Sequence, residues 1–254
     1  MPLKKNKITR AFGQHMLVDR RIVDRIVSAA NIRKDEIVLE AGTGQGILTM
    51  ELCRHAKQVI SYEVDANLYE KAQEQLLQYL NNNLRLVKAD LFKTKHAPLF
   101  DIFVSNLPYS RSRDAIEWLS IQKFDRAIVM VQEEFANKLI ARPSDKNYRA
   151  ISALAAHCFT IEKLFKVRKE SFEPQPKVES SIIRITPINT ISKETVRNIN
   201  LLFSRRNKKA SSVAGEIGII IVDVDRYGSR KIDQIDPTDL IRMAEWISSN
   251  VRSI

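Results

Sequence analysis

Asp101-Ile102-Phe103-Val104-Ser105-Asn106-Leu107-Pro108-Tyr109 is an apolar strand pattern that runs into an amide, a backbone carbonyl and an aromatic ring. These groups suit a planar exocyclic amine. The Asn106 side-chain carbonyl and the Leu107 backbone carbonyl, fixed by Pro108, can each accept one N–H of an NH₂ group, and Tyr109 offers a face on which the attached ring can stack. On its own, Asn-Leu-Pro-Tyr reads equally well as a strand entering a Pro turn. Its meaning depends on what else the chain brings to the same place.

Three further segments end in residues of matching kind. Glu36–Ala41 reads as a strand that leads into Gly42-Thr43-Gly44-Gln45-Gly46, where glycine lets the backbone approach a ligand and lets the following helix pack closely. Gln58–Val64 contains Glu63, 21 residues past Gly42, near the spacing at which an acid meets ribose hydroxyls in nucleoside-binding α/β folds. Leu84–Ala89 is followed by Asp90, which can accept a hydrogen bond from an adenine amine or simply cap a turn. In an open α/β sheet, ligands lie beyond the carboxyl ends of the strands, so Gly42, Glu63, Asp90 and Asn106 are expected in one crevice.

The glycine spacing separates candidate cofactors. A pyrophosphate fingerprint is G-x-G-x-x-G, whereas here the third glycine comes one residue early, and no GxxxxGK[ST] segment is present. A nucleoside without a pyrophosphate fits better, and S-adenosylmethionine is the leading candidate. A sulfonium is a good leaving group, so methyl transfer to an aromatic amine needs no strong base. It needs carbonyls that favour the more sp³-like nitrogen formed during attack. A base inside a duplex cannot reach such a pocket, so the target is expected unpaired or flipped out.

The elements that must carry these residues follow from periodicity. Strand patterns alternate with helical ones at Ile47–His55, Ala66–Leu80 and Asp114–Ser120; a strand at Ala127–Gln132 and two helices within 133–159 follow. The order argues for a parallel sheet with helices on its faces. Leu164–Val167 and Val178–Thr186 read as an edge hairpin joined by the Pro-rich segment Phe172-Glu173-Pro174-Gln175-Pro176-Lys177. Helical periodicity resumes at Thr195–Phe203 and Asp239–Ser248. The chain therefore divides into an α/β domain over residues 1–187 and a small helical domain over 188–254.

With 254 residues, 44% of them apolar, the chain can bury a substantial core. No apolar run is long enough for a membrane span, the longest candidate being Ile217 to Val222, and no apolar segment follows the basic N-terminus, so a cytoplasmic protein is expected. Cys53 and Cys158 read as buried thiols, and the four histidines form no ligand pair, so no metal is expected. The net charge of +11 is concentrated. Lys4, Lys5, Lys7, Arg10, Arg20 and Arg21 face Asp19 alone in residues 1–21, and Arg205-Arg206-Asn207-Lys208-Lys209 is free of acids, which favours a nucleic-acid partner.

With these residues in place, the chain resembles the ribosomal small-subunit RNA adenine dimethyltransferases, the KsgA family with its archaeal and eukaryotic relatives. The likeness runs through Phe12-Gly13-Gln14-His15-Met16-Leu17, the Glu40–Gly44 turn, Tyr62–Asp65, Asn106–Tyr109, Phe172–Ser180 and, more weakly, Phe203–Lys209. It implies a Rossmann-like methyltransferase fold, with S-adenosylmethionine lined by His15, Leu17, Gly42, Glu63, Asp90 and Asn106. It also implies that Asn106 to Tyr109 hold the target adenine and that Phe172 closes on its other face; from the residues alone, Phe172 reads as hairpin core. The implied reaction puts two methyls on N6 of each of two adjacent adenosines in a hairpin loop near the 3′ end of small-subunit rRNA, by a monomer acting on the assembling subunit. Candidate RNA contacts are Lys4, Lys5, Lys7, Arg10, Arg111, Arg113, Arg205, Arg206, Lys208 and Lys209. Bacterial members usually have Asn where His15 stands.

Three other readings compete: a large-subunit rRNA adenine methyltransferase of the erythromycin-resistance type, a methyltransferase of a protein glutamine amide, and an assembly factor that binds RNA without turnover. The Phe-x-Pro-x-Pro-Lys-Val segment disfavours the first, the two basic clusters disfavour the second, and intact Gly42, Glu63, Asp90 and Asn106 disfavour the third.

Overall fold

The computed structural model describes residues 15–80, 82–217 and 227–250. These residues form two compact units. The first holds the described residues up to Ala115, with Phe124–Glu133 and Glu162–Thr186; the second holds Ile116–Lys123, Glu134–Ile161 and the described residues from Pro187 onward. The helical unit thus takes the middle segment Glu134–Ile161 as well as the C-terminal one.

The first unit is built on a seven-stranded sheet. Its strands are β2 (Ile37–Ala41), β3 (Gln58–Glu63), β4 (Leu84–Lys88), β5 (Ile102–Ser105), β6 (Arg126–Gln132), β7 (Phe159–Val167) and β9 (Ser180–Pro187), in the order β4-β3-β2-β5-β6-β9-β7. The pairs β3–β4, β2–β3, β2–β5 and β5–β6 are parallel, and β9 runs antiparallel to β6, so the expected edge hairpin is where the sequence placed it. A parallel sheet covered on both faces needs apolar residues at successive positions. Val38, Leu39, Ile102, Phe103, Val104, Ile128, Val129 and Met130 are accordingly all fully buried. Two short strands outside the sheet, β1 (Met16–Leu17) and β8 (Phe172–Glu173), pair antiparallel with each other, a ribbon that periodicity could not have found in segments of two residues.

Helices α1 (Arg20–Ala30) and α2 (Ile47–His55) each pack an apolar stripe on the core. Asp19 caps α1 by accepting from the Arg21 amide at 3.1 Å. The helix expected over Ala66–Leu80 is instead two, α3 (Ala66–Gln75) and α4 (Leu77–Leu80). The break falls at Leu76, a fully buried side chain that occupies the space beside Gly46, where an added Cβ would lie 2.9 Å from Leu76 Cδ1. Tertiary packing of one leucine overrides continuous helical periodicity.

In the second unit, α7 (Ala150–Cys158), α8 (Lys193–Phe203) and α10 (Pro237–Asn250) pack together, and α9 (Ala210–Ile217) follows α8. The buried Tyr148 ring meets Phe203 edge-on at 5.5 Å, and its hydroxyl donates to the Ile235 carbonyl. The helix α5 (Ser112–Leu119) leads out of the Asn106–Tyr109 segment, and α6 (Glu133–Leu139) follows β6 directly. Gly218 to Val222, part of the apolar run noted above, lie outside the described residues. Among the described residues, no helix is long and apolar enough to cross a membrane.

One buried ion pair anchors the N-terminal end of the sheet. Glu36 is 1% exposed, and its carboxylate accepts from Arg126 Nη1 and Nη2, both at 2.9 Å, while Arg126 also donates to the Ala30 and Asn31 carbonyls. Burial acts to raise the Glu36 pKa, but the Arg126 bonds and the Arg33 amide outweigh it and hold the carboxyl below its usual range. Removing Arg126 takes away the buried cation and leaves Glu36 only the largely exposed Arg33, whose guanidinium lies at 2.9 Å and whose amide donates at 2.6 Å. Arg126→Met is therefore expected to destabilise the fold by about 3 kcal/mol at pH 7. Because the native pKa is depressed, that difference should be full above the unfolded carboxylate pKa and be lost as pH falls from there through the lower folded pKa, as urea denaturation at pH 7 and pH 3 would measure.

Candidate functional site

Register brings the strand-end residues together. Ala41 of β2 is paired with Tyr62 of β3 on one side and with Ser105 of β5 on the other. The next residue on each strand is therefore Gly42, Glu63 and Asn106, three neighbours at one level where the strand order reverses. Glu63 is in turn paired with Lys88 of β4, two residues before Asp90. A cavity of about 680 Å³ opens there, lined by His15, Leu17, Gly42, Glu63, Asp90, Asn106, Leu107, Pro108 and Tyr109 among others.

The glycine turn is tied down from both sides. The Gly42 and Thr43 amides both donate to the Tyr62 carbonyl, at 2.8 and 3.3 Å. Gly42 has φ +85, a left-handed conformation that a side chain would strain, and an added Cβ would face the Leu107 side chain and the Asn106 carbonyl. Glu63 is 3% exposed, and its carboxylate accepts from three backbone amides: Gly44 at 2.8 Å and Val64 and Asp65 at 2.9 Å each. Those bonds fix the acid without using all its lone pairs, leaving acceptor capacity toward the cavity.

Asn106 is half-buried, and among the described residues its side-chain amide has no hydrogen-bond partner. Ser105 just before it donates to the Ala41 carbonyl at 2.8 Å, which locks β5 to β2 beneath it. Tyr109 is held by a 2.7 Å hydrogen bond between its hydroxyl and that of Ser180 on β9. Burial raises the Tyr109 pKa despite the Ser180 bond, so the phenol stays neutral. The His15 ring lies 5.7 Å from the Tyr109 ring, and its Nδ1 donates to the Pro174 carbonyl at 2.6 Å, leaving Nε2 as an acceptor when the ring is neutral. Through this bond and the β1–β8 ribbon, the Phe-Glu-Pro segment fastens the His15-Met16-Leu17 segment beside the cavity.

Two expectations need correction. Phe172 does not line the cavity: paired with Leu17 in the ribbon, it is 3% exposed and packs in the hydrophobic core, as its bare residue reading had it. Arg111 is not turned outward to read phosphates, because its guanidinium is engaged by Asp90 and Asp114. Of the other proposed RNA contacts, Arg113 is exposed on α5, and Arg205 and Lys208 both pair with Glu216 of α9, an acid lying beyond the block that sequence inspection counted as acid-free. Lys4, Lys5, Lys7 and Arg10, with Phe12 to Gln14, lie outside the described residues. Sequence reading missed Met16, Thr43 and Phe92 among the cavity residues; only adjacence to the motifs marked them. Among the described residues, no group of three or more His, Cys, Asp or Glu is gathered as a metal site.

A family description, ribosomal RNA adenine dimethylase, matches residues 5–242 of the chain. The chain belongs to that family. A relative from Thermotoga maritima named ribosomal RNA small subunit methyltransferase A is 32% identical over 241 residues, which span 94% of this chain and 85% of the relative. Among solved structures, a dimethyladenosine transferase from Plasmodium falciparum is similar at TM-score 0.74 and 26% identity, covering 94% of this chain and 99% of the other. The 23S rRNA methyltransferase ErmE is similar at TM-score 0.61 and 26% identity, over 92% and 99%. In this family member the cavity is lined by Asn106, Leu107, Pro108 and Tyr109 together with Gly42, Thr43 and Gly44 of the glycine turn.

Beneath that turn lies an acid with an incomplete environment. Glu40 is fully buried; its Oε2 accepts from Thr49 and Ser61, both at 2.6 Å, while Oε1 has no hydrogen-bond partner among the described residues. Ser61 in turn accepts from Thr43 of the glycine turn at 2.6 Å. Desolvation pushes the Glu40 pKa up to about 7, against the pull of Ser61 and Thr49 and with help from the Glu63 charge. Between pH 4.5 and 7 the folded state then binds a proton that the unfolded state has released, so stability falls as pH rises through that window, by roughly 3 kcal/mol in all. Glu40→Gln keeps an acceptor for both hydroxyls and removes the titration. Urea denaturation between pH 5 and 8 should show the decline in the native protein and its absence in the variant.

Proposed function

We propose that this family member methylates N6 of two adjacent adenosines in a hairpin loop of small-subunit rRNA, with S-adenosylmethionine as methyl donor. The observation that carries the reading is the single level at which Gly42, Glu63 and Asn106 emerge at one cavity that Leu107 also lines. The residues fit the donor chemically: Glu63, immobilised by three amides, accepts from ribose hydroxyls, Asp90 accepts from the adenine amine, and Gly42 gives the methionine end room to lie against the backbone. The bound donor supplies an electrophilic methyl group on a positively charged sulfur. Leu17 and His15 close the near side of the cavity.

The chain's own groups then act on the target base. Asn106 Oδ1 and the Leu107 carbonyl accept the two N–H bonds of the amine, which turns the nitrogen lone pair out of the ring plane. The arrangement favours the pyramidal nitrogen of the transition state over the flat ground state. Tyr109 stacks on the base and stays neutral, so the proton released after transfer leaves to water and not to a strong internal base. The basic side chains Arg113, Arg206 and Lys209, with Lys4, Lys5, Lys7 and Arg10, supply phosphate contacts, and Arg205 and Lys208 contribute once RNA competes with Glu216. The protein is taken to work in the cytoplasm, as a monomer, on the assembling small subunit.

The likeness to the ErmE structure keeps the large-subunit reading in view. The name of the Thermotoga maritima relative and the Phe-Glu-Pro-Gln-Pro-Lys-Val segment both favour the small subunit. Purified protein incubated with methyl-labelled S-adenosylmethionine and separated ribosomal subunits should leave N6,N6-dimethyladenosine in small-subunit RNA only. Label in large-subunit RNA would transfer the assignment to the resistance class, and subunit binding without label would leave a non-catalytic assembly factor.

A further inference from the structure

Arg111 stands in a basic segment, Ser110-Arg111-Ser112-Arg113, that would ordinarily be assigned to phosphate contact. Its geometry is different. Nη2 donates to both carboxylate oxygens of Asp90, at 2.8 and 2.9 Å, Nη1 lies 3.0 Å from Asp114 Oδ2, and the guanidinium carbon is 5.2 Å from the centre of the Phe92 ring. The Arg111 side chain is 32% exposed and that of Asp90 only 16%. Lys93 also lies 3.8 Å from Asp90, so the cluster sets two cations against two carboxylates and leaves Arg111 no excess positive charge for a phosphate. Asp90, Phe92 and Arg111 all line the cavity, and Asp90 also accepts from the Phe92 amide at 3.1 Å.

We propose that Arg111 is a positioning residue that selects adenine in the donor nucleoside. It rests on the assignment of Asp90 to the adenine amine. A carboxylate held only by the Phe92 amide and a 3.8 Å pair with the exposed Lys93 ammonium can rotate; one whose two oxygens both accept from Arg111 Nη2, with Arg111 itself braced by Asp114 and Phe92, presents its remaining lone pairs in one direction. That direction rewards a donor such as an exocyclic NH₂ and penalises an acceptor such as the C6 carbonyl of hypoxanthine. Arg111 thus ties the end of β5, which carries the target-base cradle, to the end of β4, which carries the nucleoside acid.

Isothermal titration of the full chain with S-adenosylhomocysteine and with S-inosylhomocysteine tests this. The unaltered protein should bind the first and strongly disfavour the second. Arg111→Gln should weaken the adenosyl compound about tenfold and shrink the preference by a similar factor. RNA affinity and its salt dependence should not change. Arg111→Lys should recover only part, since one ammonium nitrogen cannot take the places of both Nη2 on Asp90 and Nη1 on Asp114. In an Asp90→Asn background, Arg111→Gln should cause no further loss of preference. A shallower salt dependence of RNA binding with nucleoside affinity unchanged would overturn the proposal in favour of phosphate contact. Equal weakening of both nucleosides, with the preference intact, would overturn it in favour of a purely structural pair. Failure of the unaltered protein to bind either nucleoside would instead remove the donor assignment on which the proposal stands.

Discussion

Parallel pairing of β2 with both β3 and β5 is the constraint on which the rest depends. Because Ala41 faces Tyr62 on one side and Ser105 on the other, three chemically different residues leave the sheet at the same height. The bonds that hold this level are few and local: Gly42 and Thr43 to the Tyr62 carbonyl, and Ser105 to the Ala41 carbonyl. A one-residue slip of β5 would turn Asn106 to the other face and leave Leu107 without its neighbour. Side-chain bonds at both ends of β5 oppose such a slip: Ser105 donates to the Ala41 carbonyl at 2.8 Å, and the Asp101 carboxylate accepts from the Ile37 amide at 2.7 Å.

The polar groups around this level divide between those that hold geometry and those left open to a ligand. Glu63 is fixed by three amides, Asp90 by Arg111, Tyr109 by Ser180 and His15 by Pro174. Asn106, by contrast, has no such partner among the described residues and stands ready for one. A cavity whose supporting shell is already satisfied needs little reorganisation to accept a ligand. Glu40 is the exception, an acid sealed beneath the glycine turn with one oxygen unmatched, where the turn's attachment through Ser61 and Thr43 is obtained at some cost in stability.

Much of this was legible in the sequence because the relevant signals are local. Strand ends followed by Gly42, Glu63, Asp90 and Asn106 announce themselves by residue type and spacing, and the parallel order follows from the alternation of elements. What stayed hidden depends on partners distant in the chain. The break at Leu76 arises from packing beside Gly46, the burial of Phe172 from a two-residue ribbon with Leu17, and the inward turn of Arg111 from an acid 21 residues away. Glu216 likewise pairs with Arg205 and Lys208 from a neighbouring helix, which no count of charges within the block could reveal.

The central claim is that Asn106 acts on the reacting amine and not on RNA docking. The most direct measurement compares Asn106→Ala with the unaltered protein in single-turnover methyl transfer and in equilibrium binding to small subunits. The account predicts a fall in the transfer rate of at least about 100-fold, the scale set by loss of one preorganised polar group at a reacting centre, with subunit affinity within a few fold. An unchanged transfer rate, or a loss traced wholly to weaker subunit binding, would contradict it.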